Sequence, residues 1–426
     1  MNGKEIEILH RPFSAEWWQF FLSASDHMKQ SLIVRNALSD EVVGKLYHEI
    51  RGIIRNSAVT NNFRVYVNGK QTSNDTITAS LPLEAEDMDR WRSRVFGKDK
   101  FSIIINQCEQ LSVYLSAYLS ASVERLRDLM GIPLLGYNLT IFMGNYGFTP
   151  LGVHHDGTGN NVLHFHIGPG DKVMYNWDEQ QYTPEVAALD LDKQLALADE
   201  FRFSAGDLYF MPWNKYHIGN TEEFSIGFTL WFNNPTRASY VKKLTDDLLV
   251  RLIDEGDAVV HPAAAHPAAA DLTAAHPSAD SPDSALFASA CVLKGGAQTR
   301  SFEHLLFDEH RRTMARLSSS GHWNSKSRIN DALALTKEDL PREIRIVDPY
   351  RIEYFRLRDD LYIYGRGHEQ VVDFSDALTT AIDKINDEAT VYRMGDFIQD
   401  LAQSLSQRQA FILLSDWYRK QIIALR

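Results

Sequence analysis

From Gly136 to Phe232 the chain is written in short runs rich in β-branched and aromatic residues: GYNLTIFMG, VLHFHIG, KVMYNW, FRFSAGDLYFMP and FSIGFTLWF. Turn-forming residues separate them, and runs of this length and spacing predict an antiparallel sandwich or barrel. Ahead of this region, SLIVR at 31–35 predicts a strand. Ser39 can cap a helix on which Val42, Val43, Leu46, Ile50, Ile53 and Ile54 recur at helical spacing. The run FRVYVNGK carries Asn68-Gly69 after alternating residues, a hairpin signal. Leu111, Leu115, Tyr118, Leu119, Leu126 and Leu129 predict one long amphipathic helix ended by Gly131.

Between about Asp257 and Pro282 the texture changes to alanines with His-Pro at 261, 266 and 276, and large apolar residues almost vanish. This reads as a linker or flexible insert, and three histidines with no fold to fix them make a poor metal site. Beyond it, Phe302, Leu305, Leu306, His310, Met314 and Leu317 return to helical spacing. Strands IEYFRL and DLYIYG follow, then a helix capped by Ser375 with Leu378, Ile382 and Ile385, and two more amphipathic stretches. The expected organisation is an α+β entry segment at 1–130, a β-rich core at 131–245, a helix end and linker at 246–285, and a small α/β domain at 286–426.

Composition narrows the class. At 426 residues and 44% hydrophobic content, two or three domains can each bury a core. No stretch approaches the roughly 20 apolar residues of a membrane helix, and the start MNGKEIEILHRPF lacks a signal peptide's layout, so a cytoplasmic protein is expected. Two cysteines, Cys108 and Cys291, supply neither a disulfide framework nor a thiolate zinc site, so any metal must use histidine and carboxylate. A net charge of -12 disfavours nucleic acid as a partner.

The segment TPLGVHHDGTGNNVLHFHIGPGDKVMYNW is crowded with metal-capable side chains. On a strand, side chains two apart share a face, so His154 and Asp156 point one way and His155 the other, which makes His155 structural. Farther on, GDLYFMPWNKYHIGN places His217 near the start of a strand. Two histidines and one carboxylate can occupy one face of an octahedral iron(II), leaving positions for a bidentate 2-oxo acid and oxygen. An isolated H-x-D triplet is often accidental in a chain with 15 histidines. The second half strengthens the pattern: Gly206, Pro212, His217 and Asn220 nearly reproduce the second cupin motif, with Asn214 where glycine is usual and a shorter step to Asn220. A competing set, His164, His166, Asp171 and His217, sketches the four-ligand site of cupin dioxygenases and isomerases.

Through TPLGVHHD, the Gly-Asp-Lys segment, and GDLYFMPWNKYHIGN followed by FSIGFTLWF, residues 30–240 resemble the JmjC-type and cupin-like 2-oxoglutarate oxygenases. The resemblance implies a double-stranded β-helix (jelly-roll) core with helical flanks. It also implies Fe(II) held by His154, Asp156 and His217, with 2-oxoglutarate and O2 as co-substrates. A basic residue would grip the distal carboxylate of 2-oxoglutarate, and Lys172, sixteen residues after Asp156, matches that role; the ordinary alternative is an exposed strand-end lysine. Arg237 is next in line. Thr149 and Tyr137 are weaker donors to the co-substrate. Because a carboxylate holds the position that halogenating relatives leave to a small residue, the implied reaction is hydroxylation.

A core followed by a helical connection and a small winged-helix-like C-terminal domain also resembles the layout of ribosomal-oxygenase-type protein hydroxylases. With an acidic chain, the C-terminal domain is expected to serve protein contact or homodimerisation. The expected substrate is a protein or peptide side chain. A free amino acid or small metabolite is the second reading, and a non-catalytic cupin-like scaffold the third.

Overall fold

The structure is a computed structural model, and it describes residues 3–57, 63–157, 159–252, 301–387 and 391–426. The His-Pro repeat at 261, 266 and 276 lies outside the described residues. The expected α+β class is observed. No helix among the described residues is long and apolar enough to cross a membrane.

The entry segment supplies β1 (Glu5–Glu7), β2 (Leu32–Arg35), β3 (Phe63–Val67), β4 (Lys70–Thr72) and β5 (Phe101–Asn106). The helix at 40–57 and the β3–β4 hairpin form where the periodicity and Asn68-Gly69 place them, with positive φ at both turn residues. The helix expected from Leu111 to Leu129 is instead two, Val113–Ser122 and Glu124–Met130. They break at Val123, whose backbone leaves helical geometry while its side chain stays fully buried. Packing of the second piece against the helix Ala15–Ala24 overrides the continuous sequence periodicity.

The five predicted strand runs become β6 (Tyr137–Gly144), β9 (Asn160–Pro169), β10 (Lys172–Asp178), β11 (Asp199–Phe203), β12 (Leu208–Met211) and β14 (Ser225–Asn233), and between them lie β7 (Gly147–Phe148), β8 (His154–His155) and β13 (Lys215–Thr221). Two sheets result. The larger runs β1-β2-β12-β9-β14-β6-β5-β3-β4, antiparallel except where β1 meets β2. The smaller runs β11-β10-β13-β7, and β8 also pairs with β13.

Strand alternation gives the larger sheet two different faces. Leu139, Ile141 and Met143 of β6, Leu163 and Phe165 of β9, and Phe228 and Leu230 of β14 join Trp17, Trp18 and Phe21 in one core cluster. Burial of each such side chain contributes about 1.5–3 kcal/mol. The residues between them, Thr140, Phe142, Val162, His164, Thr229 and Trp231, line a cavity instead, together with residues of the smaller sheet.

Residues 315–426 belong to the same compact unit as 1–234. They carry β15 (Glu343–Ile346), β16 (Glu353–Leu357), β17 (Asp360–Gly365), β18 (His368–Asp373), β19 (Tyr392–Arg393) and β20 (Ile423–Leu425), paired as β19-β15-β20 and β16-β17-β18. Helices Asp376–Asn386, Met394–Leu401 and Gln407–Arg419 pack around Leu361, Ile382, Phe397 and Trp417. Trp323 joins this region to the core: its indole donates to the Ser116 carbonyl at 3.2 Å, and its ring lies 6.2 Å from that of Tyr137. A second unit, Pro235–Met314, contains the helix Arg237–Leu252 and the first part of the helix Phe302–Ser319. There Tyr240 shares a 2.8 Å hydrogen bond with His310.

Candidate metal centre and cavity

The smaller sheet presents His154, Lys172, Met174, His217 and Gly219 to a cavity of about 260 Å³, each strand contributing every second residue. His154 and His217 are direct register partners on β8 and β13, with ring centroids 4.3 Å apart. Asp156 follows two residues after His154. One ligand atom from each of His154, Asp156 and His217 lies within 4.8 Å of the others.

Both imidazoles are fixed from behind. His154 Nδ1 donates to the Gly152 carbonyl at 2.9 Å, and His217 Nδ1 lies 3.3 Å from the Lys215 carbonyl. A carbonyl oxygen only accepts, so each Nδ1 carries a proton and Nε2 is the ring nitrogen left for a metal. Burial, and then the neighbouring His154, push the His217 pKa down to about 4 against the opposing pull of Asp156. Its ring is therefore neutral at neutral pH. Among the described residues Asp156 has no hydrogen bond or ion pair. Two imidazole Nε2 atoms and one carboxylate without a partner among the described residues are the donor set of a divalent transition metal, so the residues present fit the iron implied by the resemblance.

His155 points to the other face, 3.2 Å from Glu179 and against Tyr216. The competing four-ligand set is not gathered. His164 Nδ1 pairs with Thr229 Oγ1 at 2.9 Å, His166 Nε2 donates to the Gly170 carbonyl at 2.7 Å, and Asp171 accepts from Ser204.

Lys172 is only 6% exposed, and no carboxylate of a described residue pairs with it. Its Nζ stands 5.0 Å from the Phe142 ring centre, and burial lowers its pKa to about 8. It is four residues along β10 from Asn176, the register partner of His217. That puts it about 13 Å along the strand from the histidine level. Gly219 keeps the route open, since a Cβ there would come within 2.9 Å of Met174 Sδ, 3.1 Å of Thr149 Oγ1 and 3.4 Å of Lys172 Cε.

The other expected donors are placed differently. Thr149 lines the cavity, but its hydroxyl donates to the Gly219 carbonyl at 3.0 Å and accepts from the Gly219 amide at 3.2 Å, so it braces the strand. Tyr137 lies outside the cavity: it is an odd-numbered residue of β6, and its ring packs with Phe232 and Trp323 in the core. Arg237 opens a helix of the second unit and is not on a strand. Sequence reasoning missed Tyr146, whose burial raises its hydroxyl pKa, and it missed Arg64 and Asn106 from the entry segment. The one available signal was a charged residue inside the alternating strand FRVYV.

The sequence matches no protein-family model and no curated protein. Among solved structures the chain is similar to YcfD, a ribosomal oxygenase from Escherichia coli, with a TM-score of 0.48 and 14% identity over 100% of each chain. The structures of YcfD with cobalt and succinic acid and with cobalt and 2-oxoglutarate each give a TM-score of 0.46 and 14% identity, over 96% of this chain and 98% of that one. A likeness of this size leaves the chemistry of the site to its own residues.

Proposed function

We propose that this protein is an iron(II)- and 2-oxoglutarate-dependent oxygenase that hydroxylates an unactivated C–H bond, with a protein or peptide side chain as the substrate. One observation carries the reading: a His-Asp-His donor set with both Nδ1 atoms bound to carbonyls opens on the same cavity as a buried lysine that has no carboxylate partner among the described residues. The strand order supports the core as a double-stranded β-helix, since β6, β14, β9 and β12 are adjacent in one sheet and β7, β13, β10 and β11 in the other. The C-terminal helices with β19-β15-β20 support a winged-helix-like reading, in which β15 arrives from upstream of the helices.

In this reading His154, Asp156 and His217 hold the iron, Asp156 supplying the charge and the two imidazoles remaining neutral. The chemistry that such a centre supplies is oxidative decarboxylation of the 2-oxo acid coupled to hydroxylation of a C–H bond. Lys172 binds the distal carboxylate, an ammonium in a partly dry pocket against the aromatic face of Phe142. Phe142, Met174 and Trp231 give the cavity an apolar stretch of wall beside these groups.

The test is iron- and 2-oxoglutarate-dependent succinate release by the full chain, beside metal binding measured on the same samples. Asp156→Ala is expected to abolish release while circular dichroism stays native, because the core is built from apolar strands. His155→Ala, on the opposite face, should retain most of it. Undiminished release by a folded Asp156→Ala protein would refute the assignment.

A further inference from the structure

The cavity holds a second cation that this function does not use. Strand register draws a polar row across the larger sheet: Tyr209 opposite His164, His164 opposite Thr229, Thr229 opposite Thr140, and Thr140 opposite Asn106. The next row on that face is Gly227, Phe142, Ile104 and Arg64. Lys172 stands over Phe142, whereas Arg64 lies two strands farther on, about 10 Å across the sheet. Arg64 lines the same cavity.

Among the described residues its buried Nε has no hydrogen-bond partner and no carboxylate pairs with its guanidinium. Asp156 is the one acid among the described residues that line the cavity, and the donor set above claims it. A carboxylate entering the cavity would meet this unpaired guanidinium charge with a charge-assisted bond. Asn106, beside Arg64 in the adjoining row, accepts from Thr140 through Oδ1 at 3.3 Å, which leaves its amide hydrogens as donors toward the same region.

2-Oxoglutarate has two carboxylates, and in the reading above both are occupied, one at the metal end and one at Lys172. We infer that Arg64, aided by Asn106, binds a carboxylate of the primary substrate, so that the group oxidised belongs to an acid. This rests on the proposed function and narrows its substrate class. The acid is either a free carboxylic acid or an acidic side chain of a peptide, and the same guanidinium recognises both.

The test uses the full chain loaded with cobalt(II) in place of iron and saturated with 2-oxoglutarate, with acetate as the carboxylate probe and acetamide as its neutral control. Relaxation of the probe's methyl protons by the paramagnetic cobalt reports binding inside the cavity without turnover. Saturable relaxation by acetate but not acetamide is expected, weakened about tenfold or more in Arg64→Gln and partly restored in Arg64→Lys. In Arg64→Gln the 2-oxoglutarate affinity should stay within about twofold of wild type, whereas in Lys172→Ala it should fall. Displacement of acetate by free L-glutamate, or by a blocked peptide with a central glutamate and not its glutamine counterpart, identifies the source of the acid.

Equal acetate relaxation in wild type and Arg64→Gln would overturn the inference. So would a loss of 2-oxoglutarate in Arg64→Gln as large as that in Lys172→Ala, which would make Arg64 part of the co-substrate anchor. Failure of the cobalt-loaded wild type to bind 2-oxoglutarate would instead bring down the oxygenase reading itself, and this inference with it.

Discussion

Lys172 joins its environment to a measurable property. An ammonium in a partly dry pocket gains on the order of 1.5–3 kcal/mol from a carboxylate, so Lys172→Ala should raise the half-saturating 2-oxoglutarate concentration about ten- to a hundredfold. Cobalt(II) affinity should barely move, because the lysine stands on β10, apart from the donors on β13, on β8 and just after it. The same residue sets a pH dependence. Burial lowers its pKa to about 8, so above that pH the free protein loses the charge on which the proposed carboxylate contact depends. Affinity should then fall, approaching tenfold per pH unit, until pH passes the higher pKa that the lysine has beside a bound carboxylate, a trend absent in Lys172→Arg. Isothermal titration of the cobalt-loaded protein with 2-oxoglutarate between pH 7 and pH 9.5 reads both effects, and a flat wild-type profile would place the anchor elsewhere.

The strands around the cavity are held to close tolerances. β9 and β14 pair along their length with one register shift between Ile226 and Gly227, and Gly227 lies against the His164 ring. A Cβ at 227 would meet His164 Nε2 at 2.4 Å, closer than any real contact, so the imidazole must rotate away from Thr229. Gly227→Ala should therefore destabilise the fold by about 1–3 kcal/mol, read as a lowered denaturant midpoint with an unchanged slope. The same logic explains how a helix expected from one periodic run becomes two: Val123 serves the core better than it serves helical continuity.

At the scale of the whole molecule, Glu109 is a buried carboxyl where the entry segment, β6 and the C-terminal region meet. Its carboxyl accepts from the Leu139 amide at 3.0 Å and from the Ser325 hydroxyl, and burial raises its pKa from 4.5 to about 7. Between those values the folded chain keeps a proton that the unfolded chain has released. The stabilisation is thus complete below about pH 4.5, declines by at most about 1.4 kcal/mol per pH unit as pH rises, and is gone above about pH 7. Glu109→Gln should flatten this part of the stability profile in urea titrations at pH 5, 6 and 7, and an unchanged slope would reassign it to another group.

The strand runs, the Asn68-Gly69 hairpin and the spacing of His154, Asp156 and His217 were legible in order along the chain, because periodicity and turn chemistry act over a few residues. Period two also put His155 on the far face of its strand. Applied to β6 it would have excluded Tyr137, but a run of alternating apolar residues does not say which of its two faces meets the core. That choice falls to the helices Ala15–Ala24 and Val113–Ser122, which pack on the odd-numbered side of β6 and leave Thr140 and Phe142 to the cavity. Arg64 stands more than 100 positions before His217 and reaches the same cavity through the register of β3 on β5 and β5 on β6. Pairing between strands that distant depends on how sheets close and helices cover them, and no local pattern in the chain carries that information.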